Sequence, residues 1–456
     1  MNESSEKNIV LFISTLGSFL TPFMGSAVNI ALPSIGKELA MNAVLLNWVA
    51  TTYLLSAGIF LVPFGALGDL YGRKRIFLYG IIFFTISSVL CSLSPNAALL
   101  LIFRIFQGIS GSMIMSTGIA MLTSVFPAEE RGKALGINTS AVYLGLSLGP
   151  FLGGILTQHL GWRSVFYINA PIGLFAIAII LWKLEEEWKE NKEGKIDFVG
   201  FVLYALSLTC LIYGVSILPQ IHSLLFIFIS LVSIIAFIYW ETKFKNPLLN
   251  IKLFRNNVVF TFSNLSALIN YSATFGIAFI LSLYLQYIKG ITPQNAGMIL
   301  LFQPLTMTLL SPFAGRISDK IEPRIVASSG MALTTLALFL FIFLNKITSF
   351  SYIIANLILL GIGFALFSSP NTNAVMSSVE KRFYGVASGT LGTMRLIGQM
   401  MSMGVIMLIF AIQIGKVQIT PEHYPSFLNS MKTLFTIFTI LCFLGIYTSL
   451  ARGKLR

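Results

Sequence analysis

The chain has 456 residues, 56% of them hydrophobic and only 10% charged, with a formal net charge of +13. A soluble domain carries about 25% charged residues, so this composition excludes a globular protein solvated by water and points to one solvated by lipid. A positive balance can mark a nucleic-acid binder, but the positions of the basic residues account for it here, and no nucleic-acid partner is expected.

A bilayer core about 30 Å thick needs roughly 20 apolar residues in helical form. Fourteen stretches meet that length: 9–31, 44–64, 76–94, 98–125, 134–157, 163–182, 198–217, 223–240, 258–286, 294–314, 325–345, 350–378, 385–413 and 431–451. Residues 1–8 are polar and the first apolar run is long enough to span, so it is expected to stay in place as a helix. The short link Ser94-Pro95-Asn96 makes the third and fourth spans a helical hairpin. With the N-terminus in the cytoplasm, 22 of the 30 Lys and Arg fall on the cytoplasmic side. Six fall outside (Lys37, Arg163, Lys289, Lys346, Lys416 and Lys432), and Arg104 and Arg395 lie within spans. This asymmetry predicts both termini in the cytoplasm of a multi-pass cell-membrane protein, and it supports an even number of spans.

The first span ends in Asn29-Ile-Ala-Leu-Pro33. Between the second and third spans stands Gly65-Ala-Leu-Gly68-Asp69-Leu-Tyr-Gly72-Arg73-Lys-Arg75, read as a tight charged turn whose glycines let two helices reverse. There Asp69 can face the positive N-terminal end of a neighbouring helix, and Arg73 can pair with Glu129 or Glu130. The fourth span carries Arg104-Ile-Phe-Gln107-Gly108-Ile-Ser-Gly111, and Arg131-Gly132 opens the fifth. In the fifth, Gly145, Gly149 and Gly153 share one face, beside Pro150 and Gly154; such a face permits close approach of another helix. Trp162-Arg163 and Asn169 open the sixth. Residues 183–197 are the most charged segment and are expected to form a solvated linker helix. Gly315-Arg-Ile-Ser-Asp319 then echoes Gly65–Asp69 about 250 residues later, and Tyr384-Gly385 echoes Arg131-Gly132. Spans 1–6 therefore match spans 9–14. The expected division is 1–183 as a first six-helix bundle, 184–257 as a linker with two inserted helices, and 258–456 as a second bundle.

An Arg inside a span costs about 2.5–3.5 kcal/mol on insertion scales, so Arg104 and Arg395 are candidates for a transport cavity, together with Asn29, Gln107, Asn138, Asn270, Tyr271 and Gln399. The latch candidates are Gly65, Asp69, Gly72, Arg73, Glu129, Arg131, Gly315 and Asp319. All seventeen acids fall in loops, tails or span edges, and the three His lie at outer loops or helix ends, so no proton carrier is predicted at mid-depth. Cys91, Cys210 and Cys442 lack metal-ligand spacing and read as apolar fillers. Nothing in the chain calls for a cofactor, and no Ser/His/Asp set or His cluster suggests an enzyme.

Together these stretches resemble the major facilitator superfamily. The 65–75 segment is similar to its Gly-x-x-x-Asp-x-x-Gly-Arg-Lys/Arg signature, Arg104–Gly111 to the pattern of proton-coupled members, and Gly145–Gly154 to the antiporter signature. Asn29–Pro33 with Trp162–Gly173 is similar to the fourteen-helix drug:proton antiporter branch. The resemblance implies an all-α membrane protein of 6 + 2 + 6 helices, exporting amphipathic small molecules by alternating access with protons as the coupling ion. It also implies a cytoplasmic latch at residues 65–75 and a fifth-span glycine face that seals and reopens the outer side. A monomer in a lipid bilayer is expected. One departure stands out: family members often carry an Asp where this chain has Met24. That leaves open a dedicated exporter of an anionic or zwitterionic metabolite with indirect or no proton coupling, and a non-transporting receptor with the same fold.

Overall fold

In the computed structural model the described residues are 3–453, apart from 42, 185, 190–196, 218–219, 245–246, 248–250, 292 and 415–420. They form helices and no strand. Without water in the bilayer core, each spanning segment must satisfy its own backbone, and helices do so internally.

The first half comprises α1 (Glu3–Glu38), α2 (Ala43–Tyr71), α3 (Arg73–Ser92), α4 (Ala97–Val125), α5 (Ala128–Leu160), α6 (Arg163–Tyr167) and α7 (Asn169–Lys183). Then come α8 (Phe198–Ser216), α9 (His222–Lys243) and the short α10 (Ile251–Asn256). The second half holds α11 (Val258–Thr274), α12 (Ile277–Leu283), α13 (Pro293–Leu300), α14 (Phe302–Lys320), α15 (Pro323–Phe341), α16 (Phe350–Ser377), α17 (Tyr384–Gln413) and α18 (Tyr424–Ala451). Among the described residues, 13 helical segments are long and apolar enough to cross a membrane, with Phe198–Leu211 as a shorter apolar helix at the seventh expected span.

Each half has its own core. Phe77, Phe84, Phe166, Trp162 and Met24 anchor the first, whose buried residues run from Val10 to Leu184. Tyr284, Phe341, Phe427, Phe435 and Phe438 anchor the second, from Ala273 to Cys442. The inserted pair packs through Tyr204 on Phe237, with ring centroids 5.6 Å apart, and through Ser230 Oγ donating to the Ser207 carbonyl at 2.8 Å. It straddles the seam between the halves. Tyr204 Oη donates to the α2 carbonyl of Gly58 at 3.4 Å and bonds Thr393 Oγ1 of α17 at 2.9 Å.

Three expectations need correction. Residues 65–71 are the end of α2 rather than a loop, and the chain reverses at Gly72 alone, with φ of 114°. Only that glycine serves the turn; Gly65 and Gly68 serve close packing. The described part of the 183–197 segment beyond Lys183 is not helical. It docks on the start of α3, where Arg73 N donates to the Trp188 carbonyl and Lys74 N to Glu187 Oε1, both at 3.0 Å. Those bonds satisfy helix-end donors that would otherwise be orphaned. The 315–320 echo likewise ends a helix, α14, and Pro323 opens α15 after a single extended step.

Candidate functional site

Besides the inserted pair, two features link the halves: a pair of crossed latches at the end that carries most of the Lys and Arg, here termed the basic end, and a ring cluster at mid-height.

Asp69, near the end of α2, is buried and accepts from Gly385 N at 3.0 Å and Val386 N at 3.2 Å, in the first turn of α17. Those amides are the positive end of the helix dipole. Asp69 also accepts from Arg73 Nε at 2.9 Å and Nη2 at 2.8 Å. Arg73 is fully buried, reaching Ser124 Oγ at 2.5 Å and the Lys381 carbonyl. A buried ion pair repays its desolvation only when its remaining lone pairs and protons are met, and here Gly385, Val386, Ser124 and Lys381 supply four bonds beyond the pair's own two. The expected partner Glu129 is instead exposed, as is Glu130, on the first turn of α5. Arg73 lies too deep between α2, α4 and α17 to meet them.

The echo repeats the contact in the opposite sense. Asp319 of α14 accepts from Gly132 N at 2.8 Å and Lys133 N at 3.1 Å, near the start of α5. Backbones touch at both crossings: a Cβ at Gly65 would fall on the Gly385 carbonyl, and one at Gly315 on that of Gly132. Between the crossings sits Tyr384, buried under two guanidiniums, Arg73 at 5.3 Å and Arg131 at 5.6 Å from its ring centre. Arg131 also donates to Tyr384 Oη at 3.3 Å and to Ser377 Oγ at 3.2 Å. Tyr384 was missed as a site residue, although the repeat signals it. Arg131 and Tyr384 occupy equivalent positions, and equivalent residues meet when they stand near a twofold axis.

The mid-height candidates separate. Arg104 is buried and satisfied within the first half: Nε donates to the Val49 carbonyl at 2.9 Å and Nη1 to Gln107 Oε1 at 2.5 Å, while its guanidinium lies 4.5 Å from the Tyr53 ring centre. Gln107 passes the chain on to Ser88 Oγ at 2.7 Å. Asn138 ties α5 to α1 through Ser18 Oγ at 2.9 Å. Gly145, Gly149 and Gly153 also face α1, meeting Phe19, Ser26 and Ala27, so their partner is a helix of the same half. Gly154 has room for a Cβ, and Pro150 is exposed. The sixth-span motif braces α1 as well: Trp162 Nε1 donates to Glu38 Oε2 at 2.7 Å, Arg163 pairs with Glu38, and Asn169 Nδ2 donates to the Met24 sulfur at 2.8 Å. The Arg163 and Trp162 bonds hold the Glu38 carboxyl below its usual pKa. Asn29 is exposed and Gln399 half-buried. An Arg104→Ala variant should orphan the buried Gln107 Oε1, at about 1–3 kcal/mol, and remove a fully buried side chain from the first half. Thermal unfolding in detergent should then begin several degrees lower, while the folded fraction keeps its ligand affinity.

Arg395 differs. Its Nη2 donates to Thr372 Oγ1 at 2.6 Å, its guanidinium lies 5.7 Å from the Tyr271 ring centre, and its Nε has no partner. Tyr271 and Tyr143 both meet the Phe364 ring edge-on, at 5.3 and 5.8 Å, so rings from α11, α16 and α5 join the two halves. Asn270 is fully buried with neither amide atom bonded. Five residues beyond Tyr271 the hydrogen-bond ladder of the ninth span is interrupted, and Gly276 N donates to Ser402 Oγ at 3.0 Å instead of to the helix.

A family model described as Major Facilitator Superfamily matches residues 14–398 and 263–453. The chain is 30% identical over 444 residues to the riboflavin transporter RibZ of Clostridioides difficile (strain 630), covering 97% of this chain and 96% of that one. It is 30% identical over 404 residues to the multidrug resistance protein Stp of Mycobacterium tuberculosis (strain CDC 1551 / Oshkosh), covering 87% and 75%. The fold superposes on the human organic anion transporter MFSD10 (TETRAN) with a TM-score of 0.69 at 15% identity, covering 98% of this chain and 100% of that one.

Proposed function

The chain belongs to the major facilitator superfamily, a family of membrane transporters rather than enzymes, and from that premise we propose that it is a secondary active exporter of amphipathic organic compounds. The observation that carries the reading is the crossed pair of aspartate-to-helix-end contacts, Asp69 on α17 and Asp319 on α5. Each bridges the two halves at the basic end, and neither can persist if the halves rock apart there. They hold a state closed at that end, and releasing them gives the other state of an alternating-access cycle.

The division into 1–183, 184–257 and 258–456 is part of the proposal, as are a plasma-membrane location and cytoplasmic termini, which make the basic end the inner gate. A monomer suffices, because each half supplies one latch to the other. Proton coupling is the family-like reading. A second reading, a dedicated exporter of an anionic or zwitterionic metabolite, is favoured by Met24: its thioether stands where an acid would be, and it is a weak acceptor that cannot carry a proton. The names of the two relatives, one a riboflavin transporter and one a multidrug resistance protein, are compatible with either.

The test is flux into proteoliposomes of anionic, neutral and cationic dyes, with and without a pH gradient. Export predicts flux above protein-free vesicles for at least one class. Saturable binding with no flux of any class overturns the transporter reading in favour of a receptor.

A further inference from the structure

We infer that Arg395 is the ligand-binding cation of the mid-height site, and that the site takes an aromatic molecule with an anionic or strongly accepting edge. The inference deepens the transporter reading and rests on it for the site's role, though not for its chemistry.

Arg104 and Arg395 look alike in sequence, but the structure treats them oppositely. Arg104 spends its guanidinium on a backbone carbonyl, a glutamine and a tyrosine ring, and is 1% exposed. Arg395 is anchored at one nitrogen by Thr372 and steered by the Tyr271 face, with its Nε left over. A guanidinium has five donors in a fixed fork, suited to a planar acceptor. None of the ion pairs among the described residues includes Arg395. Neither α11, α16 nor α17 contains a single Asp or Glu, so the charge on these helices is uncompensated. Such a charge repels cations and attracts anions in a low-dielectric setting.

Asn270 points independently to a ligand. A buried amide with no hydrogen bond costs about 1–3 kcal/mol by mutational measure, and natural interiors hold few of them. It sits next to Tyr271, in the last turn before the interruption at Phe275–Gly276. The edge-on rings of Tyr143, Phe364 and Tyr271 supply the aromatic contact. Because Tyr143 belongs to the first half, a ligand among these rings touches both halves.

The experiment is equilibrium dialysis of the purified full-length protein against naphthalene-2-carboxylate, its neutral carboxamide and 2-naphthylmethylammonium. The wild type should bind the carboxylate at least tenfold more tightly than the ammonium, with the carboxamide between. Arg395→Gln should erase that ratio and Arg395→Lys should keep most of it. Tyr271→Leu should weaken all three probes together. Two results overturn the inference: equal binding of carboxylate and ammonium by the wild type, which needs no variant to fold, or an equal loss for all probes in Arg395→Gln. Charge-selective binding in a protein that moves none of the probes across vesicles would leave the inference standing and defeat the transporter reading.

Discussion

A Gly385→Val variant should transport at less than a tenth of the wild-type rate while still folding. A Cβ at Gly385 falls on the Gly65 carbonyl, and Asp69 Oδ1 and Cγ would lie 2.8 and 2.9 Å away. Backbone cannot yield as a flexible side chain can, so the valine must push α17 off α2. Overpacking of this kind costs about 1–3 kcal/mol, and every 1.4 kcal/mol moves a two-state equilibrium about tenfold. The cost falls only on the state closed at the basic end, because only there do these backbones touch. The variant should therefore accumulate open at that end. Gly385→Ala should show the same direction with a smaller effect. A Gly385→Val protein with normal flux would mean that the closed crossing is dispensable.

The aspartates should be unequal. Asp69→Asn leaves Arg73 buried without its carboxylate, and removing one partner of a buried pair costs about 3–5 kcal/mol. Asp319→Asn weakens its bonds to the Gly132 and Lys133 amides near a helix end, where a charge is worth about 0.3–2 kcal/mol. Flux and the closed-state population should fall much further for Asp69→Asn. The two changes lie on different helix pairs, α2 with α17 and α14 with α5, so their effects should add in free energy. An Asp319→Asn variant with normal flux, or a double variant no worse than Asp69→Asn alone, would show that the echo is not a second latch.

Much of this was legible in the residues. Apolar runs of spanning length gave the helices, because lipid leaves the backbone no other choice. The offset of about 250 residues between Asp69 and Asp319 pointed to two halves, and Asp69 was expected at the end of a neighbouring helix. What remained hidden was three-dimensional. No spacing says which helix end Asp69 meets, so Arg73 was matched to acids of the next cytoplasmic loop, Glu129 and Glu130, rather than to the acid one turn before it. Nor does sequence separate Arg104 from Arg395, since both are intramembrane arginines. Only the surrounding acceptors do: Val49, Gln107 and Tyr53 for one, and Thr372 alone beside a ring for the other. The fifth-span glycines share a face in sequence, but that they meet α1 depends on a bundle arrangement that periodicity does not encode.

Closure of the basic end by the crossed latches is most directly tested by the distance between spin labels at Glu129 and Lys320, both exposed and on opposite halves. The wild type should give a short, narrow distance distribution. Asp69→Asn with Asp319→Asn should shift it to a longer, broader one and lower flux in parallel. An unchanged distribution in the double variant, with flux intact, would contradict the account.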